Sequence, residues 1–99
     1  MKFLVMIKPR PVQGMTSAIV EATREIAKRN VRNGITECLY SFAGGNRSFA
    51  IVNADSGDAL QDLLLEAPAA PFLEIEAHPL ADGDKFLEKM IETLKKQGL

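Results

Sequence analysis

Cysteine occurs once, as Cys38. A single thiol closes no intrachain disulfide and supplies no Cys-rich zinc site; it fits a reducing compartment. Strong charge of one sign is also missing, since 12 Lys and Arg stand against 13 Asp and Glu, a formal net charge of -1. That balance removes the broad attraction by which basic proteins bind phosphate backbones or anionic bilayers. Neither nucleic acid nor membrane is expected as a partner. Long apolar runs are lacking as well. The N-terminal stretch Met1-Lys2-Phe3-Leu4-Val5-Met6-Ile7 meets Lys8-Pro9-Arg10-Pro11, which stops it far short of a signal-peptide core or a membrane span. A cytoplasmic protein that starts directly in its first strand is expected.

What is present is ordinary globular material: 99 residues, 46% hydrophobic and 25% charged, enough for one domain over residues 1–99. A domain this small buries only roughly 60 to 65% of the surface its unfolded chain exposes, so self-association adds useful apolar burial.

Phe3 to Lys8 reads as a short apolar strand closed by prolines that cannot donate in a sheet ladder. Met15, Ala18, Ile19, Ala22 and Ile26 recur at the spacing of one helix face up to about Val31, with Thr16 or Ser17 as cap and Gly34 as a left-handed stop. Ile35 to Ala43 and Arg47 to Asn53 flank Gly44-Gly45-Asn46 and read as a hairpin. Asp55-Ser56-Gly57-Asp58 starts a short helix carrying Leu60, Leu63 and Leu64, which ends at Pro68. Phe72 to His78 alternates with a period of two between Pro71 and Pro79, placing Phe72, Glu74, Glu76 and His78 on one face. Phe86, Leu87, Met90, Ile91 and Leu94 mark a third helix from about Asp84 to Gln97.

This order, βαββαβ with an added C-terminal α, implies an α+β, ferredoxin-like fold: an antiparallel four-stranded sheet with its first two helices on one side. The other side is left open. With Glu74, Glu76 and His78 among its side chains, that face suits neither water nor a dry core, but it suits the wall of a pocket closed by a second copy.

Glu74 and Glu76 lie two apart on one strand, about 7 Å along the backbone, and such a pair can divide into acid and base when one is desolvated. The alternative is that they form ion pairs with Arg47, Lys8 or another subunit. His78 continues the face, but a lone histidine at a strand end makes no metal site. Tyr40 can orient a ligand oxygen. Cys38 and Tyr40 alternate with Glu37, Leu39 and Ser41, and the pattern leaves open which set faces the uncovered side. Arg47-Ser48-Phe49-Ala50-Ile51-Val52 partly mimics the third-strand motif of RNA-recognition domains, but Ser48, Ile51 and Ala54 replace its glycine and two of its aromatics, and no basic stripe accompanies it. Gly44-Gly45-Asn46 opens no helix and is a turn rather than a phosphate cradle.

Ala67-Pro68-Ala69-Ala70-Pro71-Phe72-Leu73-Glu74-Ile75-Glu76-Ala77-His78-Pro79-Leu80 resembles the muconolactone isomerase family, whose last strand follows a Pro-x-x-Pro-aromatic-x-acid-Ile-Glu pattern. The likeness reaches back through Leu60 and Asp62 to Ala43-Gly44, covering roughly residues 1 to 80. It implies a dimeric α/β barrel, as a homodimer or larger homo-oligomer, in which a small lactone undergoes proton transfer without metal or organic cofactor. Where that family carries His, Trp and Arg on strand two, this chain has Cys38, Tyr40 and Ser41.

Three functions follow as expectations. In the first, Glu74 or Glu76 is the catalytic base of a cofactor-free isomerase, with Tyr40, Arg47 and His78 binding substrate. The second is a noncatalytic homo-oligomeric binder of small ligands, or an accessory subunit. The third, by analogy of fold alone, is a cofactor-free oxygenase or cyclase.

Overall fold

Alternation along the first strand, β1 (Lys2–Pro9), sets the two faces of the sheet. Phe3 and Val5 turn inward and are buried, while Leu4, Met6 and Lys8 turn to the opposite side. The computed structural model describes residues 1–99 and continues with α1 (Ser17–Arg32), β2 (Thr36–Ser41), β3 (Ser48–Asn53), α2 (Gly57–Leu65), a 3-10 turn (Ala70–Phe72), β4 (Leu73–Leu80) and α3 (Gly83–Lys96). The sheet order is β2-β3-β1-β4 with every neighbouring pair antiparallel. This is the expected ferredoxin-like arrangement with an added C-terminal helix.

The core is small. Phe3, Val5, Ala50, Val52 and Leu60 form its buried cluster, with Ile7, Ile35, Leu63, Leu64 and Ile75 packed around it. The side chains of α1 and α2 meet this same face of the sheet, and two polar links tie α1 to the segment that follows α2. Ala69 N–H donates to Thr23 Oγ1 at 3.0 Å, and Arg29 pairs with Glu66 at 2.8 Å. The caps fall where the sequence puts them. Thr16 Oγ1 accepts from Ile19 N–H and Ser56 Oγ from Ala59 N–H, each satisfying an otherwise orphan donor of the first turn. Gly34, at φ +75°, ends α1, and Gly44, at φ +79°, makes the hairpin reversal that a side chain would resist.

Three features differ most from the pattern-based reading. Phe72 belongs to the 3-10 turn rather than to β4, so it leaves the face of Glu74 and Glu76. β4 also runs through Pro79 to Leu80, because β4 is an edge strand and a missing donor there breaks no interior ladder. On β2 a bulge between Thr36 and Cys38 interrupts the alternation. Glu37 consequently does not share a side with Leu39; it reaches Lys2 and Asn53 on the open face.

The third helix stands away from the rest. α3 makes no substantial contact with another element, and Phe86, Leu87, Met90, Ile91 and Leu94 are all exposed. The molecule extends 60 Å along its long axis against 29 and 23 Å across. No helix is long and apolar enough to cross a membrane.

Candidate functional site

The open face is read most simply as rows running across the sheet. One row is Tyr40–Phe49–Met6–Glu76, the next Cys38–Ile51–Leu4–His78, and Lys8 pairs with Glu74 at the end near the hairpin. Cys38 and Tyr40 therefore point to the uncovered side, which the alternation alone left undecided. The face divides by chemistry. Its β2–β3 half is aromatic, with Phe49 at 5.8 Å from the Tyr40 ring and 5.5 Å from the Phe42 ring. Its β4 half is ionic.

A cleft of about 270 Å³ lies in the ionic half, lined by Met6, Lys8, Arg47, Glu74 and Glu76 together with Ile7 and Ile75. The Lys8 ammonium lies 3.2 Å from Glu74 Oε2, and His78 Nε2 lies 3.1 Å from Glu76 Oε2. Arg47 has no ion-pair partner, so its guanidinium is available to an incoming anion. These groups are well exposed, Glu76 at 69% of its side chain, and water screens each pair in the single chain. A cover over this face would strengthen every one of these interactions by excluding that water.

Arg47, Glu74 and Glu76 are thus brought together. Tyr40 is not: it shares a row with Glu76 but lies three strand spacings away, roughly 14 Å. His78 stands outside the cleft and touches it only through Glu76. Lys8, which sequence reading treated only as a possible ion-pair partner, lines the cleft beside Glu74. The signal for it was present, because Leu4, Met6 and Lys8 alternate with buried Phe3 and Val5.

The opposite end of the open face holds a second ionic cluster. Glu37 accepts hydrogen bonds from the Lys2 ammonium and from Asn53 Nδ2, which hold its carboxyl below the usual carboxylate range. This cluster ties β2 to β3 and β1.

Comparison with known proteins bears on the same sheet. The family model of muconolactone delta-isomerase matches residues 1–84. A crystal structure of a muconolactone isomerase is similar at 27% identity and a TM-score of 0.73, over 83% of this chain and 90% of that one. A 5-chloro-2-hydroxyhydroquinone dehydrochlorinase from Burkholderia phenoliruptrix AC1100, in complex with 2,5-dihydroxybenzoquinone, shares the fold. There the identity is 17% and the TM-score 0.59, covering 86% of this chain and 98% of that one. No curated protein matches the chain significantly in sequence. The family match ends at Asp84, so nearly all of α3 lies beyond it.

Proposed function

The chain belongs to the muconolactone delta-isomerase family, and on that basis we propose that its open-face cleft carries a cofactor-free proton transfer on a small lactone. The observation that carries this reading is the convergence of two carboxylates and two cations, Glu74, Glu76, Lys8 and Arg47, on one cleft of about 270 Å³.

Isomerising an unsaturated lactone requires a base to take a proton from carbon, a group to hold the charge that moves onto oxygen, and an acid to return a proton at a different carbon. Glu76 is the better base of the two carboxylates, because its neighbour at 3.1 Å is an imidazole, whereas Glu74 is held at 3.2 Å by the permanent charge of the Lys8 ammonium. His78, 3.1 Å from Glu76, orients it. The unpaired Arg47 holds the substrate's carboxylate or its developing enolate oxygen, the kind of preorganised charge that lowers such barriers most. Protonated Glu76 then returns the proton, so the double bond moves and nothing is gained or lost.

A second subunit supplies what the single chain lacks. The aromatic half of the face, with Tyr40 at 62% exposure and Phe42 at 44%, is a poor water surface and a good packing surface. A homodimer closed over it dries the ionic half at the same time. In such a pair Tyr40 of the second copy is also free to approach the cleft that its own chain keeps it from.

The test uses muconolactone as substrate. Glu76→Gln keeps the oligomer intact and lowers turnover by about 10²-fold or more, the usual scale for loss of a general base; unchanged turnover removes Glu76 from the role. The Lys8–Glu74 ion pair and the His78–Glu76 hydrogen-bond contact favour a second reading, since they satisfy both carboxylates without chemistry. Under that reading the same cleft binds its ligand tightly and yields no product.

A further inference from the structure

Behind the sheet, on the side away from the cleft, the helices do not close fully onto the strands. α1 has no buried residue and α2 buries only Leu60. The gap is a cavity of about 130 Å³ with 13 hydrophobic residues among the 16 that line it. A dry apolar cavity of about 150 Å³ accepts benzene, so this one is the size of a single ring. Leu39 lies at its rim on the edge strand and is 47% exposed, which leaves a way in beside β2.

The polar lining is Thr23, Asn30 and Thr36. Thr23 is spent: its hydroxyl donates to the Ile19 carbonyl at 2.9 Å and accepts from Ala69 N–H at 3.0 Å. Asn30 is not. Its Oδ1 is fully buried and has no hydrogen-bond partner, a state that native interiors rarely tolerate. An apolar, ring-sized space with an unpaired buried amide oxygen in its wall is the usual form of a small-ligand site: apolar surface for affinity, a small number of polar groups for orientation.

We propose that this cavity is a second small-molecule site that takes a single-ring phenol. The ring lies among Ile26, Leu39, Leu63 and Ile75, and the hydroxyl meets the Asn30 amide. A phenol hydroxyl both donates and accepts, so it pairs with that amide in either orientation of the side chain. The sheet separates this site from the cleft of Glu74 and Glu76, and the proposal does not rest on the lactone chemistry assigned there.

Calorimetric titration of the full chain with phenol and with benzene tests it, together with methyl spectra that locate the ligand. The expected result is saturable binding of both, with shifts at the methyls of Ile26, Leu39 and Leu63 and none at Met6 or Ile51. Asn30→Leu weakens phenol binding by about threefold to tenfold, the scale of one hydrogen bond, and leaves benzene binding intact. Ala27→Leu fills the cavity and abolishes binding of both; it is the second arm should Asn30→Leu not fold. No saturable binding by the unaltered chain, as for a cavity whose Asn30 is served by water alone, overturns the proposal. So do shifts confined to the open face, or phenol binding that survives Ala27→Leu undiminished.

Discussion

Hydrogen bonds from the Lys2 ammonium and then from Asn53 hold the Glu37 carboxyl below its usual range. A carboxylate whose folded pKa is depressed stabilises the fold above its unfolded value, near 4.5, and the contribution disappears as pH falls through the lower folded value. Urea unfolding at pH 6 and pH 3 therefore loses less stability in Glu37→Gln than in the unaltered chain, and the difference shrinks in high salt because the pair is exposed. Equal acid sensitivity of the two chains would contradict this. Glu37 also marks where alternation fails as a guide. Period two correctly gathers Glu74, Glu76 and His78 on one face and leads from Phe3 and Val5 to Lys8. It misplaces Glu37 because a bulge adds a residue to β2, and nothing in the local composition announces a bulge.

At the scale of elements, end signals were legible wherever they are local chemistry. Thr16 and Ser56 cap their helices, and Gly34 and Gly44 take positive φ. Signals that depend on an element's neighbours were not. Pro79 reads as a stop until β4 is known to be an edge strand, and Phe72 reads as strand until Pro71 and Ala70 close a 3-10 turn around it. The third helix is the clearest case of a sequence pattern without a packing outcome. Its apolar stripe and its Asp82 cap, which accepts from Lys85 N–H at 3.1 Å, specify a helix, yet the domain offers that stripe nothing to pack on. Truncation after Ala81, assayed by urea unfolding in dilute solution, is expected to leave the midpoint of residues 1–81 nearly unchanged. A marked loss of stability would mean that α3 packs on the domain.

For the whole molecule the sheet topology was readable from element order alone, since strands joined by two helical crossovers and one hairpin have few ways to pair. The site was readable only in part. Arg47, Glu74 and Glu76 meet in the cleft, whereas Tyr40 lies at the far edge of the same face, a separation fixed by strand order and invisible in a list of candidates. The uncovered face makes a further prediction. Ile51 sits in its centre opposite Leu4 and Cys38, so Ile51→Glu places an unpaired charge in the proposed subunit contact. Sedimentation is expected to show that variant shifted toward the monomer by at least tenfold in dissociation constant, since a buried unpaired charge costs more than 1.4 kcal/mol. An unshifted oligomer would put the contact elsewhere.

The central claim is that the ligand meets the ionic half of the open face. Its most direct test is amide chemical-shift mapping during titration with muconolactone, which reports where a ligand lies whether or not it is turned over. Shifts centred on Met6, Lys8, Arg47, Glu74 and Glu76 are predicted; shifts centred instead on α1 and α2, with those strand positions unmoved, would contradict the account.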